Sequence, residues 1–213
     1  MPTMQSAYRK HHSTETTLLR VTNDILRTID RRQDVVLVLL DLSAAFDTID
    51  HTILVERLES YFGFSKQTLS WFRSYLENRR QSIIIGDQMS TPSALHYGVP
   101  QGSILGPLLF TLYIAPLQDI IACHHLNSIF YADDTQLYIA IDPANQVLSL
   151  TALRNCIEDV MRWNTQNMLR SNAEKTEVIL FTSRFTKTPS IEKLSFDNTV
   201  IELTERVRDL GVT

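Results

Sequence analysis

The chain has 213 residues, 44% of them hydrophobic, enough for one main globular unit with appendages and a sizeable core. Its 20 Lys and Arg against 24 Asp and Glu leave a net charge of −4, which argues against a free-standing nucleic-acid binder, or for a piece whose basic surfaces lie elsewhere. Two isolated cysteines, Cys123 and Cys156, make neither a disulfide framework nor a zinc site and suit a reducing compartment. Residues 1–12 hold no apolar signal-peptide core, and the longest purely aliphatic run, Val35–Leu40, is far too short to span a bilayer. The expectation is a soluble, intracellular chain with no membrane partner, with nucleus and cytosol left open.

In chain order, Thr17, Leu18, Val21, Ile25, Leu26 and Ile29 recur at helical spacing, so residues 13–30 read as a helix with Ser13 as its cap. Arg9, Lys10, His11, His12, Arg20, Arg27, Arg31 and Arg32 make this the most basic stretch, either a solvated face or a phosphate contact. Val35–Leu40 reads as a strand buried on both faces and ending at Asp41. Two helices follow, one through Ile53, Leu54 and Leu58 stopped by Gly63, the other from Ser65 through Leu69, Phe72 and Leu76. Gln81–Ile85 and the segment after Gly86-Asp87 read as short strands round a turn. Residues 97–107 read as a Gly- and Pro-rich loop, Leu108–Ile114 as an apolar helix ended or kinked by Pro116. Strands at Asn127–Ala132 and Thr135–Ile141 flank a tight turn at Asp133-Asp134. A long amphipathic helix from Leu150 to Met168 comes next, then a strand at Glu177–Phe181, a polar connector at Thr182–Pro189 and a terminal hairpin round Asp197-Asn198. Without strict alternation of strand and helix, the order favours an α+β fold, helices on one face of a mainly antiparallel sheet.

Asp133 and Asp134 alone are ordinary turn residues. On a rigid hairpin tip, however, two ionised carboxylates repel and invite a divalent cation, and all-oxygen ligands suit Mg²⁺ or Mn²⁺ rather than zinc. Asp41 leaves a buried strand. If that strand lies beside the hairpin, three carboxylates converge, a set able to hold two metals for phosphoryl transfer. The plain alternative is a helix cap, for which Asp47 and Asp50 are better placed. Gly98-Val99-Pro100-Gln101-Gly102-Ser103 joins a stiff approach to glycines that let a backbone come close to a ligand, or is simply a loop entering a helix.

Taken together, Asp41 with Phe46, then GVPQGSILGP, then YADD resemble motifs A, B and C of reverse transcriptases, in that order. LDLSAAFDTIDH, GVPQGSILGPLLFTLYI, FYADDTQLY and the leading QSAYRKHHSTET resemble the non-LTR, LINE-type retrotransposon enzymes. Trp163, Asn167 and NAEKTE at 172–177 resemble motif D, and Leu210-Gly211-Val212 the start of motif E.

The resemblance implies an α+β polymerase palm, an antiparallel sheet backed by helices, with partial fingers at the N-terminus. It divides the chain into a fingers-derived helix (1–34), the palm (35–181) and a hairpin leading to a missing thumb (182–213), with the remaining fingers and the endonuclease also missing. It implies an RNA-directed DNA polymerase in which Asp41, Asp133 and the weaker ligand Asp134 hold Mg²⁺ or Mn²⁺, aided by the Leu42 carbonyl. Phe46 falls at the family's steric gate against ribonucleotides; ordinary helix packing is the plain alternative, and both can hold. Gln101 and Gly102 would lie against the incoming nucleotide and templating base, and Tyr131 near the primer end. Lys175 would donate a proton to pyrophosphate, unless it is a solvated loop lysine. His11, His12 and their arginines would position template phosphates. Motif D departs from the pattern, reading Arg170-Ser171-Asn172 where the family more often has Lys-Leu-Asn. The implied partners are an RNA or DNA template-primer and dNTPs, with self-association through surfaces uncovered by the missing parts. A catalytically inactive remnant serving as a binding module, or a two-metal nuclease, are the competing readings.

Overall fold

A computed structural model describes residues 4–142, 144–182, 193–196 and 199–212. The first helix, α1 (Thr14–Asp30), opens on a reciprocal cap: Thr16 N–H donates to Ser13 Oγ, and Ser13 N–H to Thr16 Oγ1. Strand β1 (Asp34–Leu40) follows, then the short β2 (Leu42–Ser43). Helix α2 (His51–Ser60) is capped by Asp50, which accepts from the Thr52 and Ile53 amides, and α3 (Lys66–Leu76) by Ser65. Four short strands, β3 (Arg80–Gln81), β4 (Ile84–Ile85), β5 (Gln88–Met89) and β6 (Ser93–Ala94), form an exposed double hairpin folded round Gly86-Asp87, β4 pairing β5 and β3 pairing β6.

Helix α4 (Leu105–Ile114) starts three residues before the expected Leu108. Pro107 falls in its first turn, where a missing N–H breaks no helical bond, and Ser103 Oγ accepts from the Gly106 amide. Beyond Pro116 the chain forms a further helix, α5 (Leu117–Cys123), that periodicity did not reveal. By length and composition Leu105–Cys123 is apolar enough to cross a membrane, and 56% of its apolar window is buried inside the protein. Strands β7 (Asn127–Tyr131) and β8 (Asp134–Ile141) precede α6 (Gln146–Gln166), β9 (Arg170–Ser171), β10 (Glu177–Phe181), β11 (Lys193–Phe196) and β12 (Thr199–Glu202). The terminal hairpin is thus present as β11 and β12, while Asp197-Asn198 and most of the polar connector lie outside the described residues.

The main sheet is antiparallel, in the order β10-β1-β8-β7. Strand β1 lies inside it and alternates between two cores, as a doubly buried strand must. Val36, Val38 and Leu40 join the large cluster under α2 to α6, with Leu54, Leu109, Phe110, Leu137 and Ile157. Val35 and Leu37 turn the other way, with Ile129 and Tyr138, onto Val21 and Ile25 of α1. Both faces are therefore covered, which corrects the one-faced expectation: the apolar stripe of α1 needs a sheet face, and β1 supplies one. Each fully buried aliphatic side chain contributes about 1.5–3 kcal/mol, so β1 is held firmly from both faces. Both cysteines are free, Cys123 exposed and Cys156 in the core, where burial pushes its thiol up to about 12.

Candidate active site

The register of the sheet assembles the site. Leu40 of β1 pairs with Thr135 of β8, so Asp41 and Asp134 leave the same sheet end on neighbouring strands. Tyr131 and Asp134 form the last pair of the β7–β8 hairpin, which makes Ala132-Asp133 its two-residue turn. This moves the turn one residue from the expected Asp133-Asp134, with Asp134 opening β8 and Ala132 outside β7. The reason is the backbone: Ala132 takes φ +57°, and the tight loop needs its left-handed residue there.

Asp41 is half-buried, and its Oδ2 is buried without a hydrogen-bond partner. A buried carboxylate oxygen left so is costly unless a positive group offsets it. The Asp134 side chain reaches solvent, yet crowding by neighbouring atoms raises its carboxyl pKa, and the charges of Asp133 and Asp41 raise it further. The three acids thus share one electrostatic environment. Among the described residues, no three His, Cys, Asp or Glu side chains stand close enough as placed to hold a metal ion. The expected convergence is reached at the level of the sheet end and not of a closed ligand set, consistent with the mutual repulsion of like charges.

A cavity of about 380 Å³ opens beside Asp41 and Asp134, lined also by Gln136, Lys175 and Asp209. Lys175 is exposed on its rim, in the turn between β9 and β10. Sequence reasoning missed Asp209. Gln136 Nε2 donates to its Oδ1 at 2.6 Å, tying β8 to the turn that Asp209 closes with Val212. Burial, and after it the charge of Asp134, pushes the Asp209 carboxyl up to about 6.

Leu42 pairs with Ser171, and the Asn172 amide donates to the Asp41 carbonyl, so motif A is stitched to the segment before Lys175. Phe46 lies in the turn between β2 and α2, half-buried against the Phe110 ring at 4.8 Å. It packs as a core ring, though outside a helix. Gln101 is exposed and donates from Nε2 to Asp47 Oδ1 at 2.9 Å. Asp47, expected as a cap, instead joins the 98–103 loop to motif A, while Asp50 does the capping. Gly102, at φ +78°, faces open space. Tyr131 is half-buried at the hairpin end, and His11 and His12 are exposed and apart from the carboxylates' cavity. The short spacing in DTID hid the Asp47 contact, because its partner lies 54 residues away.

The geometry is an antiparallel sheet with an Asp just past the end of a central strand beside an Asp-Asp hairpin, and a glycine loop packed on the turn that holds Asp47. The family model for reverse transcriptase (RNA-dependent DNA polymerase) matches residues 1–213, and the chain belongs to that family. Among curated proteins it is 28% identical to "Probable RNA-directed DNA polymerase from transposon BS" of Drosophila melanogaster, over 100% of this chain and 24% of that protein. It is 26% identical to "RNA-directed DNA polymerase from mobile element jockey" of the same species, over 100% and 23%. To the X-element polymerase, also from that fly, identity is 37% over 53% of this chain and 12% of that one. The chain spans about a quarter of the length of the first two relatives. Among solved structures, apo telomerase from Candida tropicalis truncated from its C-terminal domain superposes with TM-score 0.59 at 16% identity, over 98% of this chain and 40% of that one. Telomerase from Candida albicans, in complex with a fragment of telomeric RNA, gives 0.57 at 14%, over 91% and 33%. At such identities these two speak for the fold alone.

Proposed function

We propose that the chain carries the nucleotidyl-transfer centre of an RNA-directed DNA polymerase of LINE-type retrotransposon origin, copying an RNA or DNA template from dNTPs. The observation that supports it most is the register that delivers Asp41 and Asp134 to one sheet end with Asp133 at the adjoining turn. In this reading residues 1–34 derive from the fingers, 35–181 form the palm and 182–213 lead toward a thumb. The partnerless Oδ2 of Asp41 and the all-oxygen donor set fit Mg²⁺ or Mn²⁺. Asp41 and Asp133 would hold the ions, with Asp134 as the weaker acid and the Leu42 carbonyl as a further oxygen. Bound there, the ions would supply activation of a primer 3′-hydroxyl and neutralisation of the charge on departing pyrophosphate.

The chain's own residues do the rest. Phe46, propped by Phe110, blocks a ribose 2′-hydroxyl and so favours deoxynucleotides. Gln101, oriented by Asp47, and Gly102, open to solvent, receive the incoming nucleotide and its templating base. Tyr131 lies toward the primer end. Lys175, on the rim of the Asp41–Asp134 cavity, delivers a proton to pyrophosphate. The exposed Ile83, Ile84, Ile85 and Met89 of the double hairpin support self-association or cover by another part of a larger polymerase. The test is dNTP incorporation by the purified, folded chain on a primed RNA template with Mg²⁺ or Mn²⁺. Incorporation that falls to background in Asp133→Ala is expected; a folded chain inert with both metals would refute catalysis by this segment and favour the remnant.

A further inference from the structure

Residues 4–6 run along the free edge of β7. Phe130 N–H donates to the Met4 carbonyl at 3.0 Å, and Ser6 N–H to the Phe130 carbonyl at 2.8 Å. This pairing carries Gln5 inward until it is 1% exposed. There its amide closes on both backbone groups of a single residue. Gln5 Nε2 donates to the Ala132 carbonyl at 3.3 Å, and Oε1 accepts the Ala132 N–H at 3.2 Å and the Ala7 N–H at 2.9 Å. The side chain thus continues the edge pairing past the end of β7 and onto the turn.

The residue it holds is the strained one. Ala132 sits at φ +57°, a conformation unfavourable for an L-residue with a Cβ. Two hydrogen bonds to a fully buried amide offset that cost. Ala132 immediately precedes Asp133, so its φ sets the direction in which the Asp133 carboxylate leaves the hairpin. A buried amide must satisfy both its ends, and here both meet the same backbone unit, that of Ala132.

We propose that Gln5 is a positioning residue for nucleotidyl transfer, whose side-chain amide locks Ala132 in its left-handed conformation and so aims Asp133. This rests on the function proposed above. A misplacement of about 1 Å in such a site lowers rates by roughly 10²-fold. Gln5→Ala removes both bonds to Ala132, together with the one accepted from the Ala7 N–H. Adding Ala132→Gly then removes the backbone cost that the bonds offset, because glycine takes positive φ freely.

The experiment compares the wild-type chain, Gln5→Ala and Gln5→Ala/Ala132→Gly by three readouts: amide exchange at Ala132 against Val38 and Leu137, Mn²⁺ titration by broadening of the Asp133 and Asp134 amides, and primer extension. Expected for Gln5→Ala are loss of Ala132 protection with Val38 and Leu137 unchanged, Mn²⁺ bound more weakly, and kcat lower by roughly 10–100-fold at a dNTP KM within about twofold. The double variant regains part of kcat. Unchanged Ala132 protection, unchanged kcat despite its loss, or loss of protection throughout the core would each overturn the proposal. A wild-type chain that neither binds Mn²⁺ nor incorporates nucleotide refutes the polymerase reading instead, and exchange at Ala132 still decides whether Gln5 holds the turn.

Discussion

Gly98 occupies φ +85°, and a Cβ there would come within 3.0 Å of the Asp47 Cα and carbonyl oxygen. Its amide donates to the Ile49 carbonyl at 2.8 Å, and its own carbonyl lies 2.7 Å from His51 Nε2. Gly102 has a similar φ of +78° but nothing within 4 Å. The two separate backbone strain from close approach. Gly102→Ala should cost about 1 kcal/mol, whereas Gly98→Ala should cost about 2–4 kcal/mol and displace Gln101 from Asp47. Urea midpoints of the two variants check this; equal losses would mean that the backbone at Asp47 yields without cost. The sequence announced glycines that permit a close approach, and it could not say to what. At Gly98 the close neighbour is the chain's own backbone, because a missing Cβ serves a ligand and a neighbouring turn equally well.

Between elements, Arg57 of α2 joins α4 to the end of α6. Its guanidinium donates to the Tyr113 carbonyl and to Asn167 Oδ1, and lies 4.8 Å from the Tyr113 ring and 5.2 Å from that of Trp163. Tyr113 Oη donates to the Asn167 carbonyl, closing the network. Removing two charge-assisted bonds and a stacked cation in Arg57→Ala should cost about 3–4 kcal/mol, read as a lower denaturation midpoint, with Arg57→Lys recovering little because an ammonium cannot fork or stack in the same way. A loss under about 1 kcal/mol would assign the packing to the helices alone. This network shows where element-level reading stopped. Helical periodicity and caps placed α1, α2, α3 and most of α6, since those signals are local. Strands β2 and β9, of two residues each, carry no periodicity and exist only because they pair with each other. Helix α5 was lost behind Pro116, which ends one helix and starts the next with the same fixed φ.

For the molecule as a whole, Asp209 makes stability depend on pH. Its carboxyl rises from an ordinary 3.8 to about 6, so between these values the folded chain binds more protons than the unfolded one. The contribution of Asp209 to stability is therefore fully present below about pH 4 and is lost as pH rises through 6. In the presence of a chelator, Asp209→Asn should flatten this decline and melt above the wild type at neutral pH, while keeping an acceptor for Gln136. Melting curves from about pH 4 to 7 test it, and parallel curves for the two proteins would exclude the contribution. The whole-chain resemblance made the α+β palm, the Asp41 strand and the Asp-Asp hairpin legible in the sequence. Asp209, Asp47 and Gln5 were not, because their partners stand 73, 54 and 127 residues away.

The pairing of Leu40 with Thr135 has one more consequence. Strand β8 could slide along β1 only by turning Leu137 out of the core and exposing it, so a one-residue slip is forbidden by greasy side chains and not by the carboxylates themselves. The alternation of Val36, Val38 and Leu137 is in effect a ruler, and the spacing between Asp41 and Asp134 is read off it. A lineage that repacked this interior would be respacing these acids without touching a single one of them.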